Sequence, residues 1–350
     1  MIEHNIITKT DKRSILGEII VTLFEQCNMS CKFCNQDHNS KVGMDTIRDK
    51  LPVVKRAIEN MSKTREMFSV HFMGGEVFSD LVPDSCFDDY KYLADELEAW
   101  SKENNYDVEI CFTTNFVYEQ TQRLQKLLDQ CPQVKLLTSY DPSGRFGLGQ
   151  LNLFKKNVVA FEKYIKSANV IMTKPNIDKF LKGDTPFFDY LYDRYDIYFD
   201  YYTPEKNRKL MTPNDVQLRD FMIYMFDNYP NCLPFKDYPS KIKKRMTCQD
   251  TFTIMPSGDA GGCTILLSQD LSGYKPTKEE MEQKWFDDYN CLECPHFQRC
   301  SMGCFLSNHL KSFRTQEVCW LSEVYDYVDS KEVLLYFLFK SGPLQPLRLS

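Results

Sequence analysis

From about Leu16 to Thr203, short apolar runs rich in β-branched residues alternate with longer stretches whose apolar residues recur at helical spacing. The short runs predict strands over Glu18–Phe24, Phe68–Phe72, Val108–Thr113, Val134–Ser139, Asn169–Thr173 and Ile197–Tyr201. The stretches between them predict helices over Asp45–Met61, Phe87–Lys102, Tyr118–Gln130 and Leu151–Lys166, with a short one over Asn176–Leu181. Six β/α repeats in order give a parallel sheet with outer helices. A full eight-unit barrel takes about 250 residues, so six units take roughly 190, and the segment has about that length. The fold class expected is α/β: a partial (β/α)6 TIM-like barrel, followed by a small cysteine-rich domain and a C-terminal helix.

Beyond the repeats, a helix is predicted from Pro213 to Tyr229, and Asn231-Cys232-Leu-Pro234 opens a linker that runs to about Arg245. Trp320–Phe339 reads as a helix with Leu321, Val324, Tyr325, Val328, Val333 and Leu334 on one face, expected to pack on the barrel. The tail from Ser341, with Pro343 and Pro346, is expected to be loose. The domain boundaries drawn from this pattern are 1–215 for the barrel, 216–245 for helix and linker, 246–322 for the cysteine-rich domain, and 323–350 for the last helix and tail. The first fourteen residues are polar and charged, and Val333–Phe339 is too short to span a bilayer. No membrane partner and a cytoplasmic location are therefore expected. A formal net charge of −6 argues weakly against nucleic acid as a partner, and the basic run Lys241–Arg245 reads as a solvated linker face.

The cysteines change the picture. Fourteen of them without a secretory segment point to metal rather than to disulfides. Cys86, Cys111 and Cys131 read as small buried apolar residues. Cys27, Cys31 and Cys34 are spaced C-x3-C-x2-C just after the first strand. Ferredoxin-type iron–sulfur sites use four cysteines, and the next one here is Cys86, so a cube on this loop keeps one iron open. A zinc knot, or a purely redox cluster with His38 as fourth ligand, are the alternatives; a zinc knot would show paired units. A second field holds seven cysteines, as Cys248-x9-Gly258-x4-Cys263, then Cys291-x2-Cys294-x5-Cys300-x3-Cys304, then Cys319. Four would satisfy one zinc ion; the other three suggest a second centre.

In such barrels the chemistry sits at the C-terminal ends of the strands. The first strand ends at the cysteine loop, the second at Gly74-Gly75-Glu76, the third at Thr113-Thr114-Asn115 and the fourth at Ser139-Tyr140-Asp141. The fifth ends at Lys174-Pro175-Asn176 and the sixth at Asp200-Tyr201-Tyr202. Gly74 and Gly75 let the backbone approach a ligand, and the Glu76 carboxylate suits an ammonium group. Lys174, Asp200 and Tyr202 are candidates for substrate contact or proton transfer, with a salt bridge or a cap as the plain reading of each. Asp141–Gly144 also reads as an ordinary turn, and Gly144–Gly149 as a flexible loop over the barrel mouth.

The first cysteine run resembles the radical S-adenosylmethionine (SAM) superfamily, whose signature is C-x3-C-x-aromatic-C with Phe33 in the aromatic place. The second field is similar to the seven-cysteine SPASM extension of such enzymes. The resemblance covers residues 16 to 320 or so. It implies a [4Fe-4S] cluster on Cys27, Cys31 and Cys34 whose open iron binds SAM, and reductive cleavage of SAM to a 5′-deoxyadenosyl radical. It implies two auxiliary [4Fe-4S] clusters, one on Cys248, Cys263 and Cys304, the other on Cys291, Cys294, Cys300 and Cys319. It also implies SAM contacts from Gly74, Gly75, Glu76, Thr114, Asn115, Ser139 and Asp141, and an external low-potential electron donor of flavodoxin or ferredoxin type. The open side of a partial barrel would admit a peptide or protein substrate. Three departures stand out. Phe116 replaces the glycine that often follows Thr-Asn. No extra cysteine lies in Gln249–Gly262, so the first auxiliary cluster either keeps an open iron or borrows Asp250, Asp259 or Cys232. Thr264 replaces the aspartate of sulfatase-maturing members. The expected function is hydrogen abstraction from a peptide or protein side chain, leading to crosslinking, oxidation or epimerisation. A nucleoside, nucleobase or small-metabolite substrate is the alternative, and a non-enzymatic metal scaffold the third reading. Only 26 residues precede Cys27, fewer than the roughly 80 of a leader-binding domain, a small domain in its own right. Peptide recognition is therefore expected in the barrel mouth, on the C-terminal helix or on another protein.

Overall fold

A computed structural model describes residues 16–202, 209–232, 235, 251–263, 267, 278–297, 300 and 319–340. The chain divides into two compact units: residues 1–139, 146–166 and 248–273 in the first, and 140–145, 167–247 and 274–350 in the second. Residues 140–145 and 167–215, expected in the barrel, fall in the second of these units, and 248–273, expected in the cysteine-rich domain, in the first.

In the first unit, β1 (Leu16–Thr22), β2 (Met67–Met73), β3 (Asp107–Thr113) and β4 (Val134–Ser139) are neighbours in sequence order and run parallel. Helices α1 (Lys50–Met61), α2 (Asp84–Glu103), α3 (Thr121–Gln130) and α4 (Gln150–Ala160) alternate with them. Ile19, Val21, Phe68, Val70, Phe72, Ile110 and Phe112 are all buried. Phe112 meets Phe72, Phe78 and Tyr90 of α2 at ring-centroid distances of 5.2, 5.7 and 5.5 Å. Burial of each such ring stabilises the unit by about 1.5–3 kcal/mol.

Alternation puts Glu18, Ser69, His71 and Glu109 on the opposite face. There Thr251 Oγ1 donates to Glu18 at 3.2 Å, Glu18 lies 3.3 Å from His71 Nδ1, and His71 Nε2 lies 2.7 Å from Ser69 Oγ. Ser69 Oγ donates to Glu109 at 3.4 Å, and Lys166 pairs with the same carboxylate. Burial pushes His71 below its ordinary value, against the pull of Glu18. A polar chain thus replaces the branched apolar layers that usually fill a barrel.

Two further strands complete this unit. β7 (Thr251–Ile254) pairs parallel with the free side of β1, Glu18 opposite Thr251, and β8 (Ala260–Gly261) turns back on it. The buried Lys50 ties the turn between them to α1, its Nζ donating to the Pro256 carbonyl at 2.7 Å.

In the second unit, β5 (Ile165–Met172) and β6 (Asp196–Tyr201) pair in parallel. Around them lie α5 (Lys174–Leu181), α6 (Phe188–Tyr192), α7 (Asp215–Asn228), α8 (Lys278–Tyr289) and α9 (Trp320–Lys340). Phe180 and Phe199 meet Phe221 of α7 at 5.5 and 5.3 Å. The start of α7 is fixed by a capping box, Asn214 accepting from the Gln217 amide at 2.8 Å and Gln217 from the Asn214 amide at 3.1 Å. α9 packs on α7 through Tyr327–Asp227 at 2.7 Å and Arg219–Glu323 at 3.4 Å, and its buried Trp320 lies 6.2 Å from Tyr201 of β6.

Local differences from the sequence pattern are small. α4 stops at Ala160 and β5 starts at Ile165, four residues before the predicted strand. Ile165-Lys-Ser-Ala fits either period, and the Lys166–Glu109 pair favours the strand. α1 starts at Lys50 and α3 at Thr121, since turns occupy the residues before them. The single turn α6 carried no sequence signal. Alternating α/β order and parallel pairing nevertheless follow the partial (β/α)6 pattern expected.

Candidate functional site

The cysteine loop leaves β1 level with the end of β2, Thr22 facing Met73 across the ladder. Cys27, Cys31 and Cys34 are all half-buried on it. The loop closes on itself: the Cys27 amide donates to the His38 carbonyl at 3.0 Å, and the Asp37 amide to Glu25 at 3.1 Å. His38 thus serves the loop through its backbone.

Gly74-Gly75-Glu76 packs directly on this loop. The Gly75 amide donates to Phe24 O, and the Glu76 amide to Gln26 O, both at 3.0 Å. A Cβ on Gly75 would sit 2.2 Å from the carbonyl oxygens of both Gln26 and Glu25. The glycine is required because two backbones touch here. Glu76 is buried. Its carboxylate accepts from Thr114 Oγ1 at 2.8 Å, from the Phe78 amide at 3.0 Å and from the Asn115 amide. The ends of β2 and β3 are therefore fastened through one carboxylate.

A second set of contacts runs through amide side chains. Asn115 Oδ1 accepts from the Val117 amide at 2.7 Å. Asn115 Nδ2 lies 3.0 Å from Asn28 Oδ1 and 3.9 Å from Cys27 Sγ. Asn28 Nδ2 in turn donates to the Val117 carbonyl. Phe116 adopts φ +54° and is fully buried, so the place where relatives often carry glycine does require a left-handed backbone. A non-glycine residue there costs on the order of 1–3 kcal/mol. Stacking of Phe116 on Phe161 at 6.1 Å and a bond from buried Asn157 to its carbonyl at 3.0 Å offset that cost. Asn157 also donates to Tyr118 O at 2.8 Å.

Ser139 is half-buried at the end of β4. Asp141, in the second unit, has no exposed surface. Its Oδ2 accepts from Arg145 Nη2 at 2.6 Å and Nε at 2.8 Å, and its Oδ1 from the Ile171 amide and Asn176 Nδ2, each at 2.9 Å. Burial pushes its carboxyl up, against the pull of Arg145. Lys174 is exposed at the start of α5, where Thr173 Oγ1 caps the Asn176 amide at 3.3 Å. Asp200 is exposed and accepts from Asn169 at 2.7 Å, while Tyr202 is buried.

Of the second cysteine field, Cys263 follows β8 in the first unit, and Cys248 and Cys304 lie outside the described residues, as do Asp250 and Thr264. Cys291, Cys294, Cys300 and Cys319 all fall in the second unit, Cys291 and Cys300 buried. Cys294 Sγ lies 3.8 Å from Ser322 at the start of α9, and the Cys319 thiol is pushed up by burial, with Cys294 and Asp215 adding to it.

The donor chemistry of the first loop suits an iron–sulfur group. Three thiols share one short loop, and two polar atoms at its base, Thr22 Oγ1 and Gln26 Oε1, are buried without a hydrogen-bond partner. Burial, then the Glu76 carboxylate, push the Cys27 thiol up to about 12, so iron must displace its proton. Among the described residues no three His, Cys, Asp or Glu side chains converge on a single-ion position. Cys86, Cys111, Cys131 and Cys232 are buried. Burial raises Cys111 to about 12 and Cys86 and Cys131 to about 11. Iodoacetamide on the metal-free protein at pH 7 should label Cys31, Cys34, Cys263 and Cys294 well ahead of those four, as peptide mapping would show; rapid labelling of Cys111 would contradict its placement.

No protein-family model and no curated protein matches the chain. Solved structures do. An anaerobic sulfatase-maturating enzyme, anSMEcpe, with bound AdoMet and Cp18Cys peptide superposes with a TM-score of 0.62 at 15% identity, over 92% of this chain and 99% of that one. The chain shares the fold of that enzyme. A second anSMEcpe structure, with bound AdoMet, gives 0.62 at 14% identity over the same shares. SuiB from Streptococcus suis, bound to S-adenosylmethionine, gives 0.49 at 15% identity over 87% of this chain and 77% of that one. Within this fold, the residues that sequence reasoning missed are Asn28, Asn157, Asn176 and Arg145. Asn157 had a signal, being a poor helix former in mid-helix. Asn28 had one too, directly after the first cysteine. None of the described helices is long and apolar enough to cross a membrane.

Proposed function

We propose that the protein is a SPASM-type radical SAM enzyme that abstracts a hydrogen from a peptide or protein side chain. The observation that carries this is the single compact unit in which the three-cysteine loop is fastened to the Gly74–Glu76 and Thr114–Asn115 strand ends. The AdoMet and peptide in the anSMEcpe structure support the same reading. When bound, the cluster on this loop supplies one-electron cleavage of SAM and, through it, the 5′-deoxyadenosyl radical.

The chain's own residues then have distinct tasks. Cys27, Cys31 and Cys34 hold the SAM-binding cluster. Gly74, Gly75, Glu76, Thr114, Asn115, Ser139 and Asp141 are the residues assigned to SAM, Glu76 also fixing the end of β3 within the first unit and Asp141 that of β5 within the second. Exposed Lys174 and Asp200 and buried Tyr202 are the residues assigned to substrate contact or proton transfer. Cys291, Cys294, Cys300 and Cys319 hold one auxiliary cluster, and Cys248, Cys263 and Cys304 the other. A flavodoxin- or ferredoxin-type donor supplies the electron.

The test is anaerobic. The protein is reconstituted with iron and sulfide, given SAM and a low-potential reductant, and assayed for 5′-deoxyadenosine, with the mass of a co-expressed peptide followed in parallel. Deoxyadenosine and a peptide mass change are expected. Cys300→Ala should still cleave SAM and lose the peptide product. Deoxyadenosine with a mass change in digested nucleosides instead would overturn the substrate assignment.

A further inference from the structure

The Cys27 sulfur sits among amide groups that the cluster assignment leaves without a role. Its neighbours include the Met29 amide at 3.4 Å, Asn115 Nδ2 at 3.9 Å and Asn28 Oδ1 at 3.8 Å. As a thiol, Cys27 donates its proton to Asn28 Oδ1. Once iron displaces that proton, the sulfur becomes an acceptor only, and Asn28 Oδ1 faces it as a second acceptor. The Asn115 amide resolves the clash because it carries two hydrogens. One is committed to Asn28 Oδ1 at 3.0 Å; the other points at sulfur. The same side chain cannot swing away, since its Oδ1 holds the Val117 amide at 2.7 Å and its backbone amide is held by Glu76.

We infer that Asn115 is a positioning residue that sets the reduction potential of the cluster on Cys27, by donating a hydrogen bond to the Cys27 sulfur, with Asn28 acting in opposition. This rests on the cluster assignment above. Hydrogen bonds to cluster sulfurs shift cluster potentials. A donor stabilises the more negative reduced form and raises the potential; an acceptor oxygen against the same sulfur lowers it. Reductive SAM cleavage requires a low potential, and the opposed pair of asparagines holds it between limits set by two side chains.

The experiment is a redox titration of the reconstituted protein followed by the electron paramagnetic resonance signal of the reduced cluster, in Cys300→Ala so that one auxiliary cluster does not overlap it. Asn115→Asp keeps the Oδ1 acceptor for Val117 and replaces the donor by a carboxylate oxygen. Its midpoint should move to more negative potential. Asn28→Ala removes the opposing oxygen, and its midpoint should move to more positive potential. Opposite shifts support the inference. Shifts of the same sign would mean that both variants merely loosen the loop, and no shift in Asn115→Asp would overturn the inference outright. A readout that needs neither asparagine variant is pulsed resonance on protein labelled with 15N at asparagine side chains, where coupling of the cluster to a side-chain amide nitrogen is expected and its absence is fatal to the proposal. If the parent protein assembles no cluster on the loop, the failure lies in the cluster assignment and shows as missing iron.

Discussion

Cys31→Ala yields a folded protein that makes no 5′-deoxyadenosine. On the proposed function the three thiolates of this loop would hold a cube that keeps one iron open, and with one removed two of them would remain. Loss of an outer-shell partner at a metal site already costs about 10–100-fold, so loss of a ligand should take cleavage to background. Cys31 is a cleaner choice than Cys27. Cys31 is half-buried on the loop, whereas Cys27 Sγ also sits in the Asn28, Met29 and Asn115 network. Iron content, SAM cleavage and a melting curve measured together decide it. Persistent deoxyadenosine would mean that the chemistry is seated elsewhere.

The second large effect is on stability. Asp141→Leu removes the carboxylate that faces Arg145 with two contacts and accepts two further bonds from β5 and α5. The Arg145 side chain is only 9% exposed, so its charge loses a buried carboxylate. Breaking a buried pair in this way costs about 3–5 kcal/mol, read as a large fall in urea midpoint. Asn176 and the Ile171 amide lose an acceptor as well. Asp141→Asn, which keeps an acceptor oxygen for those two, should recover part of the loss. A different outcome would reassign the residue: an unchanged midpoint with weakened SAM binding would make Asp141 a ligand contact rather than a brace.

The strand ends show what was legible beforehand. Glycines 74 and 75 and Glu76 stood out at the end of a predicted strand, and the structure puts them against the cysteine loop. What the pattern could not reveal is that Gly75 is needed for contact with Gln26 and Glu25, because sequence offsets do not say which backbones meet. Phe116 looked like a missing glycine. The φ of +54° shows that the backbone requirement persists and is met through packing by Phe161 and Asn157. The sequence pattern was also silent on β7, whose four residues are too short to announce a partner, yet which pairs along β1.

The order of strands and helices, the burial of their apolar faces and the positions of the cysteines are properties of spacing, and spacing along a chain is local information. They were determined by the sequence alone. Which side chains complete the site was decided by tertiary contacts between residues far apart in sequence. Asn28 meets Asn115, Thr114 meets Glu76, Asp141 meets Ile171 and Asn176, and Lys50 meets Pro256. Each of these is a buried polar group that needs a partner, and only the folded backbone determines which partner comes within reach.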